Sequence, residues 1–532
     1  MEIRLKIMLI CITAAAIMLA SRVLIITRND EIAEASSGRG QYIIENVSRY
    51  ADICDCNGRL LVNEEYEKYA LVDPADDNAF KVLPYAEDKN FYRSGMSGNL
   101  PFLCRVSADY ISDDIDVFRK YVRNGGEQLA VHILGYTSEN KGVCGIEYAY
   151  DDFIRKNCTV NKAEFSVNAV GNVIDGLYSN VEYAGEMNAA VITTIDKEIQ
   201  RICEQVMAEN TAVKGAVVVM DVKSGEIRAC VSCPAFDINN PAESLESNDA
   251  PFVNRAFSAY SVGSIFKLCT AAAALESGIS PDFSYTCEGA IDVNGQIFNC
   301  HKWGGHGEID MSKAIEVSCN PYFIALSEYI DSELYIETAE KLGFGKETVF
   351  GEGLVSSAGY LPDEKELAVP AEKGNFSFGQ GKLSATPVQI CRMTAAIANN
   401  GMCPEPKLVL EIKDNDGYCE KVNYPINKRS VSYLTALKLR EFMENVVNAD
   451  NSRSKSYIVS SAGKTSTAQT GRYNSDGSEQ LNCWFTGYFP ADFPEYAVTV
   501  LVEEGVSGNM SSAPLYKKIA EKITEYKKSS YS

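Results

Sequence analysis

Histidine is scarce in this chain, and positive charge is in deficit. The 532 residues include only three histidines, His132, His301 and His306, and no Gly-x-Ser-x-Gly motif. A catalytic triad built on histidine is therefore not expected. The chain has 50 Lys and Arg residues and 72 Asp and Glu residues, which gives a net charge of −22. This balance argues against a general nucleic-acid-binding protein, and we expect no nucleic-acid partner.

The chain has 17 cysteines, but their spacing is not that of a disulfide-bonded framework. Their odd number and scatter favour small apolar core residues over a set of bridges. Cys287, Cys300, His301 and His306 have the chemistry of zinc ligands, but no second tight cysteine pair accompanies them. We favour a local disulfide between Cys287 and Cys300, and we predict no bound metal and no cofactor.

One apolar segment lies at the N-terminus. It runs over Ile7–Ala20 and resumes up to Ile26, about the length of a membrane-spanning helix. Arg4 and Lys6 precede it, so the positive-inside rule places the N-terminus in the cytoplasm and the remainder outside the cell membrane. A cleaved signal peptide is the alternative, because the uninterrupted apolar core is short. We expect an uncleaved single-pass anchor.

The rest of the chain divides into a mixed region and a more regular one. Residues 62–185 combine short strand-like and helical pieces without a concentrated ionisable cluster, as expected of a scaffold. From about residue 186, strand-like runs near both ends enclose helical ones, which predicts an α+β fold with an antiparallel sheet flanked by helices. The expected strands are 191–196, 216–221, 227–232, 483–489 and 496–502, and the expected helices are 197–210 and 514–527.

One stretch has the spacing of a serine nucleophile and its base. Ser264 lies three residues before Lys267, and an apolar run suited to a buried helix follows. On a helix the two side chains are one turn apart on one face, and a desolvated lysine has a lowered pKa that lets it take the serine proton. Ser452 and Lys455 share this spacing in a polar stretch, where a solvated loop is expected.

Two short motifs follow this pair in order along the chain. Ser318-Cys319-Asn320 precedes an apolar helix-like run, and Lys464-Thr465-Ser466-Thr467 lies near the C-terminus. Each motif alone is weak evidence for a catalytic site, and Ser-x-Asn in particular occurs at several other places in the chain. It is the order of the three motifs along the chain, and the residues around them, that indicate a common function.

This ordered set resembles the class B penicillin-binding proteins, the membrane-anchored D,D-transpeptidases that cross-link peptidoglycan. The resemblance covers nearly the whole chain. It implies a short cytoplasmic tail and transmembrane anchor over 1–30, an elongated N-terminal pedestal or dimerisation domain over 31–185, and a penicillin-binding transpeptidase domain of the serine β-lactamase-like fold over 186–532.

The resemblance also implies roles for the first two motifs. Ser264 would attack the penultimate D-alanine carbonyl of a donor stem peptide, with Lys267 as its base. Ser318 would relay a proton to or from the amine. Asn320 would hold the donor amide and Lys267.

The third motif would bind the substrate. Lys464 would supply positive charge near the terminal carboxylate, and the Thr465 and Thr467 hydroxyls would add hydrogen bonds. The backbone N–H groups of Ser264 and Thr467 would form an oxyanion hole. Penicillins, which mimic D-alanyl-D-alanine, should stall as acyl-enzymes.

Two residues depart from the family pattern. Ser466, which we count among the substrate-binding residues, stands where the family has glycine. We expect its β-carbon to crowd the substrate or change β-lactam preference, with activity retained. Val262 stands where the family usually has proline.

The implied partners are peptidoglycan or lipid-linked stem peptides, β-lactam antibiotics, the membrane, a separate membrane glycosyltransferase, and division or elongation proteins. Two alternatives stay open. One is a β-lactamase or β-lactam-binding protein on the same fold, and the other is a scaffold whose transpeptidase centre is weakened by Ser466. A division, elongation or spore role is not distinguished.

Overall fold

The computed structural model describes residues 2–27, 40–168, 172–174, 179–209 and 214–530. The α-helices of these residues are α1 Glu2–Thr27, α2 Lys89–Met96, α3 Val131–Leu134, α4 Gly145–Ala149, α5 Asp151–Lys156, α6 Lys197–Ala208, α7 Pro241–Ser244, α8 Lys267–Glu276, α9 Met311–Glu316, α10 Asn320–Ser327, α11 Ser332–Lys341, α12 Glu364–Leu367, α13 Pro370–Ser377, α14 Pro387–Ala398, α15 Tyr433–Asn448 and α16 Ala513–Ser530.

The strands of the same residues are β1 Gln41–Tyr50, β2 Asp52–Cys54, β3 Glu65–Val72, β4 Phe102–Val106, β5 Val117–Val122, β6 Thr137–Ser138, β7 Lys141–Gly142, β8 Cys158–Ser166, β9 Ser179–Glu182, β10 Ala190–Thr193, β11 Gly215–Asp221, β12 Ile227–Cys233, β13 Tyr260–Ser261, β14 Tyr285–Cys287, β15 Ala290–Val293, β16 Gln296–Asn299, β17 Gly307–Ile309, β18 Thr348–Gly351, β19 Leu354–Ser356, β20 Ser384–Ala385, β21 Met402–Cys403, β22 Val409–Lys413, β23 Cys419–Lys421, β24 Lys428–Arg429, β25 Ala462–Tyr473, β26 Glu479–Phe489 and β27 Tyr496–Glu503.

The chain forms two compact units that alternate along the sequence. The first consists of Met1–Tyr50, Asn63–Gly125 and Cys158–Met187, and the second of Ala51–Val62, Gly126–Asn157 and Asn188–Ser532. The chain passes from the first unit to the second for the last time at Met187, close to the domain boundary expected near residue 186. Two segments before that boundary, Ala51–Val62 and Gly126–Asn157, also belong to the second unit. The boundary expected at residues 30–31 lies outside the described residues. The functional division at 185–186 stays a prediction.

The first unit contains the N-terminal helix and two small sheets. Within α1, Lys6–Leu24 has a mean hydropathy of 2.3 and is long and apolar enough to cross a membrane. Among the sheets, β8 pairs with both β1 and β9, and β3 lies between β4 and β5. The region is thus a mixture of short elements, as predicted.

The second unit is built on a five-stranded antiparallel sheet in the order β12-β11-β27-β26-β25. The predicted hairpin 216–221/227–232 and the two predicted C-terminal strands lie within this sheet. The predicted strand 191–196 is shorter, and as β10 it joins a separate four-stranded sheet with β2, β22 and β23.

Helices cover both faces of the five-stranded sheet. One face packs on α6 and α16, where Val217, Val498, Ile199 and Tyr516 share a core. On the other face, Thr394 of α14 hydrogen-bonds to Thr486 of β26 at 2.7 Å. The α+β architecture agrees with the prediction. The helix predicted over 197–210 is α6, whose predicted last residue lies outside the described residues, and the closing helix is α16.

A turn at Asp55–Gly58 fastens the start of the second unit to α6. The Asp55 side chain is fully buried. It accepts from the backbone N–H groups of Asn57, Arg59 and Lys197 and from Arg59 Nε at 2.6 Å. Arg59 also donates to Asp196, the N-cap residue of α6, at 2.8 Å. Asn57 and Gly58 therefore form part of a turn held by a buried carboxylate.

We predict that Asp55→Asn lowers the free energy of unfolding by about 2 kcal/mol, because the amide nitrogen cannot accept from both Arg59 and Lys197. The measurement is chemical unfolding of the full chain in detergent. Glu337→Gln, which removes an exposed ion pair with Lys341, is the control and should cost less than about 1 kcal/mol. Equal effects of the two substitutions would contradict the prediction.

Candidate active site

The serine and lysine of the first motif lie side by side. Ser264 is in the 3-10 turn Gly263–Phe266, and Lys267 is the first residue of α8, whose residues up to Ala274 are buried. Lys267 Nζ is 3.0 Å from Ser264 Oγ. The pair thus has the geometry that the spacing predicts, with the serine just ahead of the α-helix.

Lys267 Nζ is surrounded by neutral oxygen atoms. Besides Ser264 Oγ, it contacts the Ser318 carbonyl at 2.7 Å, Ser318 Oγ at 3.1 Å and Asn320 Oδ1 at 2.7 Å. Within the described residues no carboxylate lies in ion-pair distance of this amine. The pKa of Lys267 lies well below its ordinary value, mainly because the amine is fully buried and to a smaller extent because Lys464 is charged. Such an amine can act as a base at neutral pH.

Lys464 of β25 approaches the same point from the sheet. Its Nζ is 3.3 Å from Ser318 Oγ and 2.9 Å from the Thr465 carbonyl. Burial lowers the pKa of Lys464 to about 7. The Ser318 hydroxyl is therefore shared by two amines, both of which lose protons more readily than an exposed lysine.

Ser318 reaches this position through an unusual backbone conformation. Its φ of 56° is left-handed, which costs a non-glycine residue on the order of 1 kcal/mol. The residue joins α9 to α10, and this turn aims both its carbonyl and its hydroxyl at Lys267. The sequence contained no signal for this conformation.

The side chain of Ser466 lies on the buried face of β25. Strand alternation places Lys464 and Ser466 on the buried face of β25, whereas Thr467 is exposed. Ser466 Oγ donates to the Val262 carbonyl at 2.9 Å. Its side chain therefore connects β25 to the turn before Ser264, and the expected effect of Ser466 on substrate or on β-lactam preference stays a prediction.

A glycine-rich stretch supports the same turn from another side. The Gly263 N–H donates to the Gly379 carbonyl at 2.8 Å, and Gly379 has a φ of 78°. A β-carbon on Gly379 would lie 2.1 Å from the Gly263 carbonyl oxygen. Trp484 Nε1 donates to the Ser261 carbonyl at 3.0 Å. These contacts fix the backbone that carries Ser264.

A cluster of metal-ligating side chains lies beside the Ser-x-Asn motif. The ligand atoms of Cys287, Cys300, His306 and Cys319 all lie within 4.8 Å of one another. The disulfide favoured between Cys287 and Cys300 is absent, and both are free thiols. Exposed His301 is not part of the cluster, and Cys319 takes its place. Sequence reasoning missed Cys319 because it was counted only within its motif.

The other serine–lysine pair of the same spacing has different surroundings. Ser452 Oγ contacts Ser454 Oγ at 2.9 Å, and Lys455 is exposed in a loop. This matches the solvated loop that was expected.

Comparison with known proteins identifies the family of this chain. Residues 215–524, more than half of the chain, match the penicillin binding protein transpeptidase domain. The chain belongs to the class B penicillin-binding proteins.

Curated relatives carry transpeptidase and sporulation names. The peptidoglycan D,D-transpeptidase MrdA of Haemophilus influenzae is 30% identical over 454 residues, which cover 74% of this chain and 68% of that protein. Stage V sporulation protein D of Bacillus subtilis is 32% identical over 395 residues, 70% of this chain and 58% of that protein. The match thus spans under two thirds of the second relative.

Solved structures share the fold. Penicillin binding protein 3 of Mycobacterium tuberculosis, complexed with aztreonam, has a TM-score of 0.67 at 22% identity, covering 91% of this chain and 97% of that chain. A chain from the complex between PBP2 and MreC of Helicobacter pylori has a TM-score of 0.65 at 23% identity, covering 91% and 99%. At these identities the likeness shows the fold.

This penicillin-binding protein is therefore an enzyme, a serine D,D-transpeptidase, and a single-pass membrane protein. The names of its relatives do not favour the β-lactamase or the inactive scaffold.

We predict that Ser466→Gly lowers the free energy of unfolding of this penicillin-binding protein by about 1–2 kcal/mol, through one lost hydrogen bond and a more flexible strand. Penicillin acylation should persist, because the hydroxyl bonds to Val262 and not to Ser264. A β-carbon at Gly263 would lie 2.5 Å from Ser466 Oγ. Gly263→Ala should therefore cost less stability in the Ser466→Gly background than in the wild type. Strictly additive effects would contradict this contact.

Proposed function

We propose that this enzyme cross-links peptidoglycan stem peptides through an acyl-enzyme on Ser264. The observation that carries the proposal is the 3.0 Å contact between Ser264 Oγ and the fully buried amine of Lys267, which has no carboxylate partner among the described residues. A neutral amine at this distance can accept the serine proton as the oxygen attacks. The activity of the MrdA relative on peptidoglycan supports the substrate class.

In the first half-reaction, Ser264 Oγ attacks the carbonyl of the penultimate D-alanine. The amide bond to the terminal D-alanine breaks, and an ester to Ser264 forms. The proton taken by Lys267 passes to the leaving amine through the Ser318 hydroxyl. Distances of 3.1 Å to Lys267 and 3.3 Å to Lys464 support this relay, because the hydroxyl can accept from one amine and donate onward.

The third motif binds the substrate in this proposal. Strand β25 is at the end of its sheet, so its outer edge is available for a peptide to add as a further strand. Lys464, in its charged form, attracts the terminal carboxylate, and the Thr465 and Thr467 hydroxyls add hydrogen bonds. The N–H groups of Ser264 and Thr467 stabilise the oxyanion, and each such donor is typically worth about 3 kcal/mol of barrier.

The second half-reaction reverses the proton path. The amine of a second stem peptide attacks the ester carbonyl and loses its proton through Ser318 to Lys267. An amide bond forms, the ester bond to Ser264 breaks, and Lys267 returns a proton to Ser264 Oγ at 3.0 Å. Asn320 positions the donor amide and holds Lys267 at 2.7 Å. A penicillin acylates Ser264 in the same way, but its opened ring stays attached and blocks the second attack.

The cellular arrangement is also proposed. Arg4 and Lys6, in the first turns of α1 and ahead of its apolar residues, support a cytoplasmic N-terminus and an extracytoplasmic catalytic unit. The Helicobacter pylori complex of PBP2 with MreC, together with the MrdA relative, supports partners in the elongation or division machinery. A separate membrane glycosyltransferase would supply the glycan strands.

We predict that a fluorescent penicillin labels the full chain in detergent and that Ser264→Ala abolishes the label, because the nucleophilic oxygen is gone. The readout is gel fluorescence of the intact protein. Ser452→Ala, in the solvated pair of the same spacing, is the matched control and should label like the wild type.

Labelling that survives in Ser264→Ala would place the nucleophile elsewhere. Rapid loss of label from the wild type would indicate a β-lactamase.

We predict a bell-shaped pH dependence of kcat/KM for a D-alanyl-D-alanine peptide. As the pH falls through the lowered pKa of Lys267, the amine gains a proton and acylation slows. As the pH rises above about 7, Lys464 loses its charge and carboxylate binding weakens. A steady-state profile over roughly pH 5–9 measures both limbs. A flat profile in protein that stays folded would refute the two lysine roles.

A further inference from the structure

The second unit contains a cavity of about 300 Å³ between α6, the segment that leads into α3, and the end of β12. Apolar groups form most of its walls, among them Val131, Met207, Val231 and Pro234. The carboxyl group of Glu204 also lines it. The residues of the three motifs lie outside this lining, so the cavity is separate from the candidate active site.

The fold holds the Glu204 carboxyl group in one orientation. Its Oε1 accepts from the backbone N–H of Ala130 at 2.7 Å and from Gln200 Nε2 at 2.8 Å. Gln200 is itself fixed to β12, because its side chain accepts from the Cys230 N–H at 2.8 Å and donates to the Cys230 carbonyl at 3.2 Å. Within the described residues, Oε2 of Glu204 has no hydrogen-bond partner. One oxygen of a preorganised carboxyl group is thus left for a ligand.

Negative charge predominates around this oxygen. The charged side chains that act on Glu204 are Glu127 and Arg201. Arg201 forms an ion pair with Glu127 at 2.6 Å and a second one with Glu198, so three carboxyl groups accompany one guanidinium. The cavity therefore repels an anionic ligand and attracts a cation.

We propose that this cavity binds a small organic cation, a primary amine with an apolar body, whose ammonium group donates to Oε2 of Glu204. An ammonium forms the charge-assisted hydrogen bond that a carboxylate in apolar surroundings requires. The apolar walls bury the hydrocarbon part of the ligand, and a volume of about 300 Å³ is within the range of small-molecule sites in proteins. The site is independent of the function proposed for Ser264.

Titration of Glu204 gives this site a pH signature. Burial raises the pKa of Glu204 to about 7, so its carboxylate forms as the pH rises through that value, while a primary amine is still charged. Of the other titratable groups nearby, burial raises the pKa of the Cys203, Cys230 and Cys233 thiols, and it lowers the pKa of His132 to about 4. These groups therefore stay neutral around pH 7, and binding of the amine follows Glu204.

The test is a titration of the full chain in detergent with benzylamine, followed by saturation-transfer NMR with the signal of protein-free micelles subtracted. At about pH 8 we expect saturable binding with a dissociation constant of about 1 mM or tighter. Benzyl alcohol, which has the same ring without the charge, should bind at least about tenfold more weakly. Lowering the pH to about 6 should weaken benzylamine binding by about tenfold, because Glu204 gains a proton.

Three variants locate the site. Glu204→Gln keeps the shape of the side chain, and it should weaken benzylamine binding at least about tenfold at about pH 8 and remove the pH dependence. Ala208→Phe, at the exposed rim of the cavity, should block binding by filling space. Glu209→Gln, which removes an exposed carboxylate at the end of the same helix, is the matched control and should bind like the wild type.

No saturable binding of benzylamine to the wild type would overturn the site. Recognition by the carboxylate would be refuted by equal binding of benzyl alcohol and benzylamine, or by equal affinity in the wild type and Glu204→Gln. Loss of binding in Glu209→Gln to the same extent as in Glu204→Gln would show attraction by surface charge instead. The comparisons of the two ligands and of the two pH values use wild-type protein, so they decide the matter even where a variant does not fold.

Discussion

An amine enclosed by protein with only neutral oxygens around it is the constraint on which the catalytic unit depends. A charged ammonium in such a place is costly, and without a carboxylate the cost appears as a lowered pKa of Lys267. The surroundings must still satisfy its N–H groups, and Ser264, Ser318 and Asn320 do so. The left-handed backbone at Ser318 follows from this need, because one residue must offer both its carbonyl and its hydroxyl to one nitrogen atom.

The order of elements and the proximity of Ser264 and Lys267 could be predicted because they depend on local pattern. Apolar, strand-like runs identified β11, β12, β26 and β27 to within a few residues, and the Ser264–Lys267 spacing identified two side chains one helical turn apart. The strand at 191–196 was recognised, but the pattern carries no information on which sheet a strand joins. Its pairing with β2 and β22 depends on contacts far apart in the chain.

What escaped prediction depends on side-chain direction and on distant contacts. Ser466 was judged by the glycine it replaces, although strand alternation already placed it on the face of Lys464 and away from that of Thr467. Cys319 is close in space to Cys287 only because two hairpins fold back on α10, and spacing along the chain carries no sign of this. His301 was included on proximity in sequence, but its neighbour His306 is the residue whose ring turns inward to the thiols.

The sheet order has a consequence for how the chain can be made. Strand β27 lies at the centre, between β11 and β26, although nearly five hundred residues precede it. During synthesis β11 and β12 can pair early as a hairpin, but β25 has no route to them until β26 and β27 exist. Strand β25 therefore joins α8 late, through contacts of very high sequence separation, which is typical of slow assembly. Until then the chain exposes an unpaired edge of β11. A growing polypeptide therefore cannot be acylated by penicillin before its central strand β27 has been synthesised.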